Sequence, residues 1–330
     1  MQRRDFIRGA AAAALIASLG EGVGVAGETA GIPFRRLGNT GAKVSLLGIG
    51  GAHLSFGPSE AEAIEIVRTA MDHGVNFLDN SWDYTNGQAE IRMGKALRDG
   101  YRDRAYLMTK IDGRSAKVAA TQLDQSLSHL QTDHLDLIQV HDISRMEDAE
   151  RIFADDGAIH ALVKAREAGK VRHIGFTGHK SPEIHLHVLK VADSHGFAFD
   201  TLQMPLNVMD AHFMSFAHGV LPVAMKKGMG ILGMKPFASG AILKSKTVSA
   251  VECLQFAMSL PLSVCITGCD SMPILQQALG VAKNFQPLSE AEISSILTRT
   301  EIAAATGKFE LYKTTGSFDN NPRDPGLAAI

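Results

Sequence analysis

Cysteine is scarce in this chain of 330 residues: Cys253, Cys265 and Cys269 are all it has. An odd number without C-x-x-C spacing excludes a disulfide framework and a zinc finger or ribbon, so the thiols read as small apolar core residues. Tryptophan occurs once, at Trp82. Neither sign of charge dominates, since 33 basic side chains face 35 acidic ones for a formal net charge of -2. No basic block or stripe stands out, which argues against nucleic acid as a partner. Past the N-terminus no apolar run approaches about 18 residues, so nothing there reads as stable membrane insertion. H-E-x-x-H is absent, as is any serine or cysteine nucleophile motif. The His185/His187 pair would face apart on a helix and reads as solvated or capping, so no metal site is assigned.

The first residues read as an address. Arg3 and Arg4 stand in QRRDFIR, ahead of an alanine-rich stretch from Ala10 to Leu19 that is too short to span a bilayer. Small-residue cleavage points follow at Ala26 and Ala30. This order of features resembles a twin-arginine export signal. It implies the twin-arginine machinery as a partner, export in folded form and a periplasmic or extracytoplasmic location; without a working signal the protein would stay cytoplasmic. Residues 1–30 are therefore set apart from a domain over 31–330.

From Gly31 onward one grammar repeats. Short β-branched runs at 44–48, 76–79, 105–109, 135–141, 173–176, 201–204, 230–234 and 263–267 alternate with patterns at helical spacing. Eight such alternations without a break in composition predict a closed α/β barrel, the (β/α)8 TIM architecture. A doubly wound open sheet is the runner-up, but it would want G-x-G-x-x-G after the first strand, where LLGIGGAH stands instead. FRRLGNTGAKVSLL predicts an N-terminal hairpin around Asn39-Thr40-Gly41 that plugs the barrel bottom. A single helix is predicted over 213–227, and an extra C-terminal helix from Ser289 to Ala305 with Ser289 as its cap. The tail from Thr306 would lie over a barrel end or fray.

A barrel of this kind carries its chemistry at the C-terminal ends of its strands. Asp79 ends the second run, with Tyr84 in its loop; Lys110 follows the third and His141 ends the fourth. These form a reaction set. A tyrosine near its usual pKa of about 10 is a weak acid at neutral pH, and a nearby ammonium is expected to lower that value. Asp79 would keep the lysine charged, Tyr84 would protonate a carbonyl oxygen, and His141 would orient it. The missing electron source must then be a bound cofactor. Singly, each residue has a structural reading: an Asp79–Lys110 ion pair, a rim tyrosine, a barrel histidine. Trp82 reads either as a pocket wall or as a loop anchor.

VNFLDNSWDYTNGQAE, AYLMTK, LDLIQVH and HIGFTGH, in this order, resemble the aldo-keto reductase family, as does the opening FRRLGNTGAKVSLLGIGG. The resemblance places the family's catalytic tetrad on Asp79, Tyr84, Lys110 and His141, and implies hydride transfer between a nicotinamide and an aldehyde, ketone or sugar. It puts the nicotinamide amide near Thr177, Gly178 and Gln203, with Gly178 where the family usually has Asn, so that the contact is lost or moved to His179 or Asn207. Met234 stands where an aromatic usually stacks. Lys235, Ala238, Ser239 and Gly240 fall where the pyrophosphate is held. Gly268, Asp270 and Ser271 open a helix whose N-terminus suits a phosphate. His53 and Trp82 are expected at the substrate. NADP(H) is favoured as cofactor, with NAD(H) the alternative because no arginine stands near Gln276; Ser271 and Lys283 are the residues expected to read a 2′-phosphate. A regulatory or sensor barrel with little turnover is the competing function, and an unrelated barrel hydrolase or isomerase a third.

Overall fold

The computed structural model describes residues 25–319. Eight parallel strands close a barrel: β4 (Leu47–Gly50), β5 (Phe77–Asp79), β6 (Tyr106–Ile111), β7 (Leu135–Val140), β8 (Val171–Thr177), β9 (Thr201–Pro205), β10 (Gly230–Met234) and β11 (Val264–Gly268), the last pairing back onto β4. Ahead of them β1 (Val25–Thr29), β2 (Ile32–Arg36) and β3 (Lys43–Ser45) form an antiparallel sheet. The hairpin over Asn39-Thr40-Gly41 is present as β2–β3, and β1 adds a third strand from residues that the sequence reading assigned to the leader. Residues 1–24, which carry Arg3 and Arg4, lie outside the described residues.

The outer ring consists of α1 (Ala52–Phe56), α2 (Glu60–Asp72), α3 (Gln88–Ala96), α4 (Ala116–Leu130), α5 (Glu147–Phe153), α6 (Ala158–Glu167), α7 (Pro182–Ser194), α8 (Phe216–Gly219), α9 (Leu221–Lys226), α10 (Ala250–Ser259) and α11 (Met272–Lys283), with α12 (Glu290–Ala304) and α13 (Leu311–Thr314) beyond. Helix starts follow the serine code: Ser59, Ser249 and Ser289 each close a capping box with a glutamate three residues on. Gly74, Gly169, Gly196 and Gly228 take the positive φ expected past helix ends. The helix expected over 213–227 is instead two, because Pro222 lacks an N–H and sits in the first turn of α9.

The first barrel strand also starts later than expected. Val44 belongs to the hairpin, and the chain turns at Ser45, whose hydroxyl donates to the Leu47 carbonyl at 2.7 Å. In an unbroken apolar run such a corner leaves no hydrophobicity signal. The hairpin plugs the barrel: Leu37 and Val44 pack with Phe77, Tyr106, Met108, Leu137, Leu232, Val264 and Ile266 in one interior cluster. Its tip sits so close that a Cβ on Gly38 would lie 2.3 Å from the Gly230 nitrogen. Arg35, 7% exposed, bolts the sheet to the end of α10 through the carbonyls of Met258, Leu260 and Leu262 at 2.9–3.2 Å.

Side chains alternate along a strand, so one face of each points into the barrel. Phe77, Met108 and Leu137 fill that interior low down. Two residues on, the same faces carry Asp79, Lys110 and Gln139, and two beyond Gln139 stands His141. The periodicity that builds the plug thus delivers the polar set to the mouth.

Candidate active site

Lys110 lies at the centre, 1% exposed. Its ammonium bonds the Asp79 carboxylate directly, and donates to the Asn80 carbonyl at 2.7 Å and to the Tyr84 hydroxyl oxygen at 3.1 Å. Those contacts use the three donors a lysine has. Because the Tyr84 oxygen accepts from Lys110, its own proton is free to point into the mouth. Burial alone would lower the Lys110 pKa, but Asp79 and the phenol outweigh it and hold the ammonium above its ordinary 10.5. Gln203, placed by sequence at the nicotinamide, donates to the other Asp79 oxygen at 3.3 Å.

Tyr84 is presented by a turn in which Thr85 (φ 49°), Asn86 (φ 54°) and Gly87 (φ 85°) all take left-handed backbone. For a β-branched threonine this is an outlier, of the kind that stores about 1–3 kcal/mol where function holds it. The phenol pKa is raised, contrary to the sequence expectation. Burial drives it up, and the Lys110 charge offsets that only in part against Asp79 and Asp83. Tyr84 is therefore a neutral phenol through the physiological range.

His141 stands edge-on to Tyr84, ring centroids 5.8 Å apart. Its Nδ1 is held by Asp112 Oδ1 at 3.0 Å and Ser81 Oγ at 3.3 Å, with Asp83 Oδ1 at 3.7 Å. The atoms offered by Asp83, Asp112 and His141 lie within 4.8 Å of one another. Sequence reading passed over Asp112. Its signal was position: two residues past Lys110, it shares that strand face.

Thr177 is buried at the end of β8, paired in register with Gln203. A Cβ on Gly178 would fall 2.4 Å from the Ile143 carbonyl oxygen and 2.9 Å from His185, so no asparagine fits there. His185 is not solvated as expected. It is fully buried against Phe176 and Phe216, and burial lowers its pKa to about 4, whereas His187 pairs with Glu150 at 2.6 Å. Asn207 cannot take over the amide contact, because its side chain already bonds the Lys235 carbonyl, Glu310, Tyr312 and two backbone amides. His179, two residues past the end of β8, lies 3.4 Å from Asp142.

The loop after β10 begins beyond Met234, which is half-buried. Lys235, Ala238, Ser239 and Gly240 all have positive φ, and the Lys235 ammonium lies 5.1 Å from the centre of the Tyr312 ring. A loop of left-handed residues of this kind suits a pyrophosphate. Gly268 ends β11 against the His53 ring, and burial lowers the His53 pKa, with Asp270 opposing and Lys235 adding to the effect. His53 thus stands at the β4–β11 seam, beside Gly268 and Asp270. Ser271 begins α11 without using its hydroxyl as a cap, unlike the capping-box serines, so the hydroxyl can serve a ligand. Lys283 does not join it. It is the last residue of α11, about 16 Å along the helix from the first. Trp82 donates its indole N–H to Gln125 of α4 at 2.7 Å.

The tail from Thr306 docks rather than frays as far as Asp319. Lys313 and Asp210, whose side chains are fully buried, pair at 2.7 Å, and Lys180 holds the Thr315 carbonyl and the Asp319 carboxylate at 2.8–3.0 Å. All three cysteines are buried, and burial pushes their thiols up to about 12.

A plugged (β/α)8 barrel with this mouth defines a class, and the sequence match agrees: residues 46–255 fit the Aldo/keto reductase family. The chain belongs to that family and is an oxidoreductase of the aldo-keto reductase type. It is 32% identical over 231 residues to L-galactose dehydrogenase of Arabidopsis thaliana, covering 64% of this chain and 67% of that protein. It is 28% identical over 206 residues to the aldo-keto reductase YhdN of Bacillus subtilis, covering 58% of each. The holo form of aldo-keto reductase AKR11C1 from Bacillus halodurans shares the fold, with TM-score 0.68 at 22% identity over 81% of this chain and 96% of that one.

Proposed function

We propose that the protein interconverts an aldehyde, ketone or sugar carbonyl with its alcohol, using NADP(H) in preference to NAD(H). The observation that carries this is the Lys110 ammonium, which spends its donors on Asp79, Asn80 and Tyr84 and so leaves the phenolic proton for a substrate oxygen. The nicotinamide, when bound, supplies or accepts the hydride. During reduction Tyr84 gives its proton to the carbonyl oxygen, Lys110 meets the charge left on the phenol, and His141 donates from Nε2 to the same oxygen. Oxidation runs the same residues in reverse. An intact tetrad favours turnover over a sensor role. Fluorescence titration with NADPH and NADH, followed by a screen of aldehydes, ketones and sugars, tests the reading; the relative's name puts L-galactose in the first panel. Cofactor binding without turnover across the panel would return the sensor reading.

Ser271→Ala is expected to weaken NADPH about tenfold, the worth of one hydrogen bond to a charged group, and NADH much less. Equal, unchanged dissociation constants would place 2′-phosphate recognition elsewhere. QRRDFIR supports export in folded form, and replacing Arg3 and Arg4 by lysine should strand the precursor in the cytoplasm. A wild-type protein found uncleaved and wholly cytoplasmic on fractionation would refute this.

A further inference from the structure

Asp112 has no part in the tetrad, yet the fold invests heavily in it. It is 1% exposed, and the Gln122 side-chain oxygen accepts from both its amide and that of Gly113 at 2.8–2.9 Å. Arg114, also 1% exposed, braces the region. Its guanidinium donates to the carbonyls of Asp112 at 2.8 Å, His141, and Asp142 at 3.1 Å, and pairs with Asp148 of α5 at 2.9 Å. One cation therefore locks the ends of β6 and β7 together and fixes the carboxylate and the imidazole in register. Only a planar fork reaches that many acceptors at once.

We infer that Asp112 is a positioning residue for the reaction proposed above: it clamps His141 Nδ1, aims Nε2 into the mouth, and keeps the ring doubly protonated while it holds the substrate oxygen. The groups facing His141 support this. Asp112 and Asp83 lie on its Nδ1 side with the Ser81 hydroxyl, Lys110 opposes from β6, the Tyr84 ring meets its edge, and His179 adds little charge because burial holds its own pKa well below 6.5. Burial works against the charged ring, but the Asp112 hydrogen bond and the two carboxylates outweigh it, with Lys110 opposing, and the His141 pKa is raised. The charged form persists below that raised pKa and is lost as pH rises through it. Carbonyl reduction should follow the same course.

Asp112→Asn tests the clamp, since it keeps the volume and removes the charge. In profiles of kcat/KM for reduction, the falling limb should move to lower pH by about one to two units. The loss should be greatest above the wild-type limb, about ten- to a hundredfold there, and shrink as pH falls. Cofactor affinity should stay near wild type. In parallel, the His141 Cε1–H resonance, assigned with His141→Gln, should titrate lower by the same amount whether or not turnover is seen. A limb and a titration that coincide with wild type would overturn the proposal, and so would an equal loss at every pH with the titration unmoved. If wild type turns over no carbonyl, the reaction reading fails, while the titration still decides the clamp.

Discussion

Tyr84→Phe is expected to bind cofactor normally and to lose carbonyl reduction by about 10²–10⁴-fold, the usual worth of a general acid. That corresponds to roughly 2.7–5.5 kcal/mol of transition-state stabilisation. The two side chains differ by one hydroxyl, so the barrel should survive. Lys110 keeps Asp79 and the Asn80 carbonyl as partners and loses only its bond to the phenol. Because burial raises the Tyr84 pKa, the wild-type phenol stays protonated across the neutral range and should contribute no limb there to the reduction profile. The limb that does appear belongs to His141. Stopped-flow measurement of hydride transfer separates this step from cofactor release. An unaltered hydride-transfer rate in Tyr84→Phe would sink the mechanism while leaving the family assignment intact.

The barrel and its mouth were legible because both rest on period two. Runs such as Asn76–Asp79 and Leu135–His141 read as strands, and the polar residue closing each run could only face inward at the top. What escaped depends on distances in space. Asp112 looks like ordinary loop polarity in K-I-D-G-R, and only the fold brings it to His141. The direction of the Tyr84 shift turns on how deeply the phenol is buried against how near one ammonium lies, and spacing gives neither. Lys283 was misplaced for a simpler reason: near the eighth-strand loop in sequence, it is a full helix away in space. The tail's glycine, asparagine and proline content left open whether it lies over a barrel end or frays, and it hides the fact that Glu310 and Lys313 find Asp210 in a site closed to solvent. A buried charge is legible only with its partner in view.

Lys110→Met should be nearly as damaging as the loss of the phenol, for a reason of charge. With the ammonium gone, Asp79 is left 4% exposed with the Gln203 amide at 3.3 Å as its remaining side-chain donor. Breaking one half of a buried pair typically costs about 3–5 kcal/mol of stability. Adding Asp79→Asn removes the stranded charge and should recover part of that loss in a urea or thermal melt. Activity should not return with it. The phenol would still develop negative charge during proton transfer with no cation beside it, so reduction should stay down by about 10²–10⁴-fold. Since Tyr84 is protonated at neutral pH in either protein, the phenol adds no pH dependence to this loss. Removing the charge that opposes the His141 imidazolium should move the His141 limb to higher pH, so the loss should ease as pH rises through it. In the oxidative direction Tyr84 must first be the phenolate. There the missing cation should push the rising limb to higher pH. The Lys110→Met/Tyr84→Phe double variant should be little slower than the worse single one, because the two residues act as one unit. Additive losses would mean that Lys110 serves the reaction through something other than the phenol, and full recovery of rate in Lys110→Met/Asp79→Asn would reduce the pair to a structural bridge.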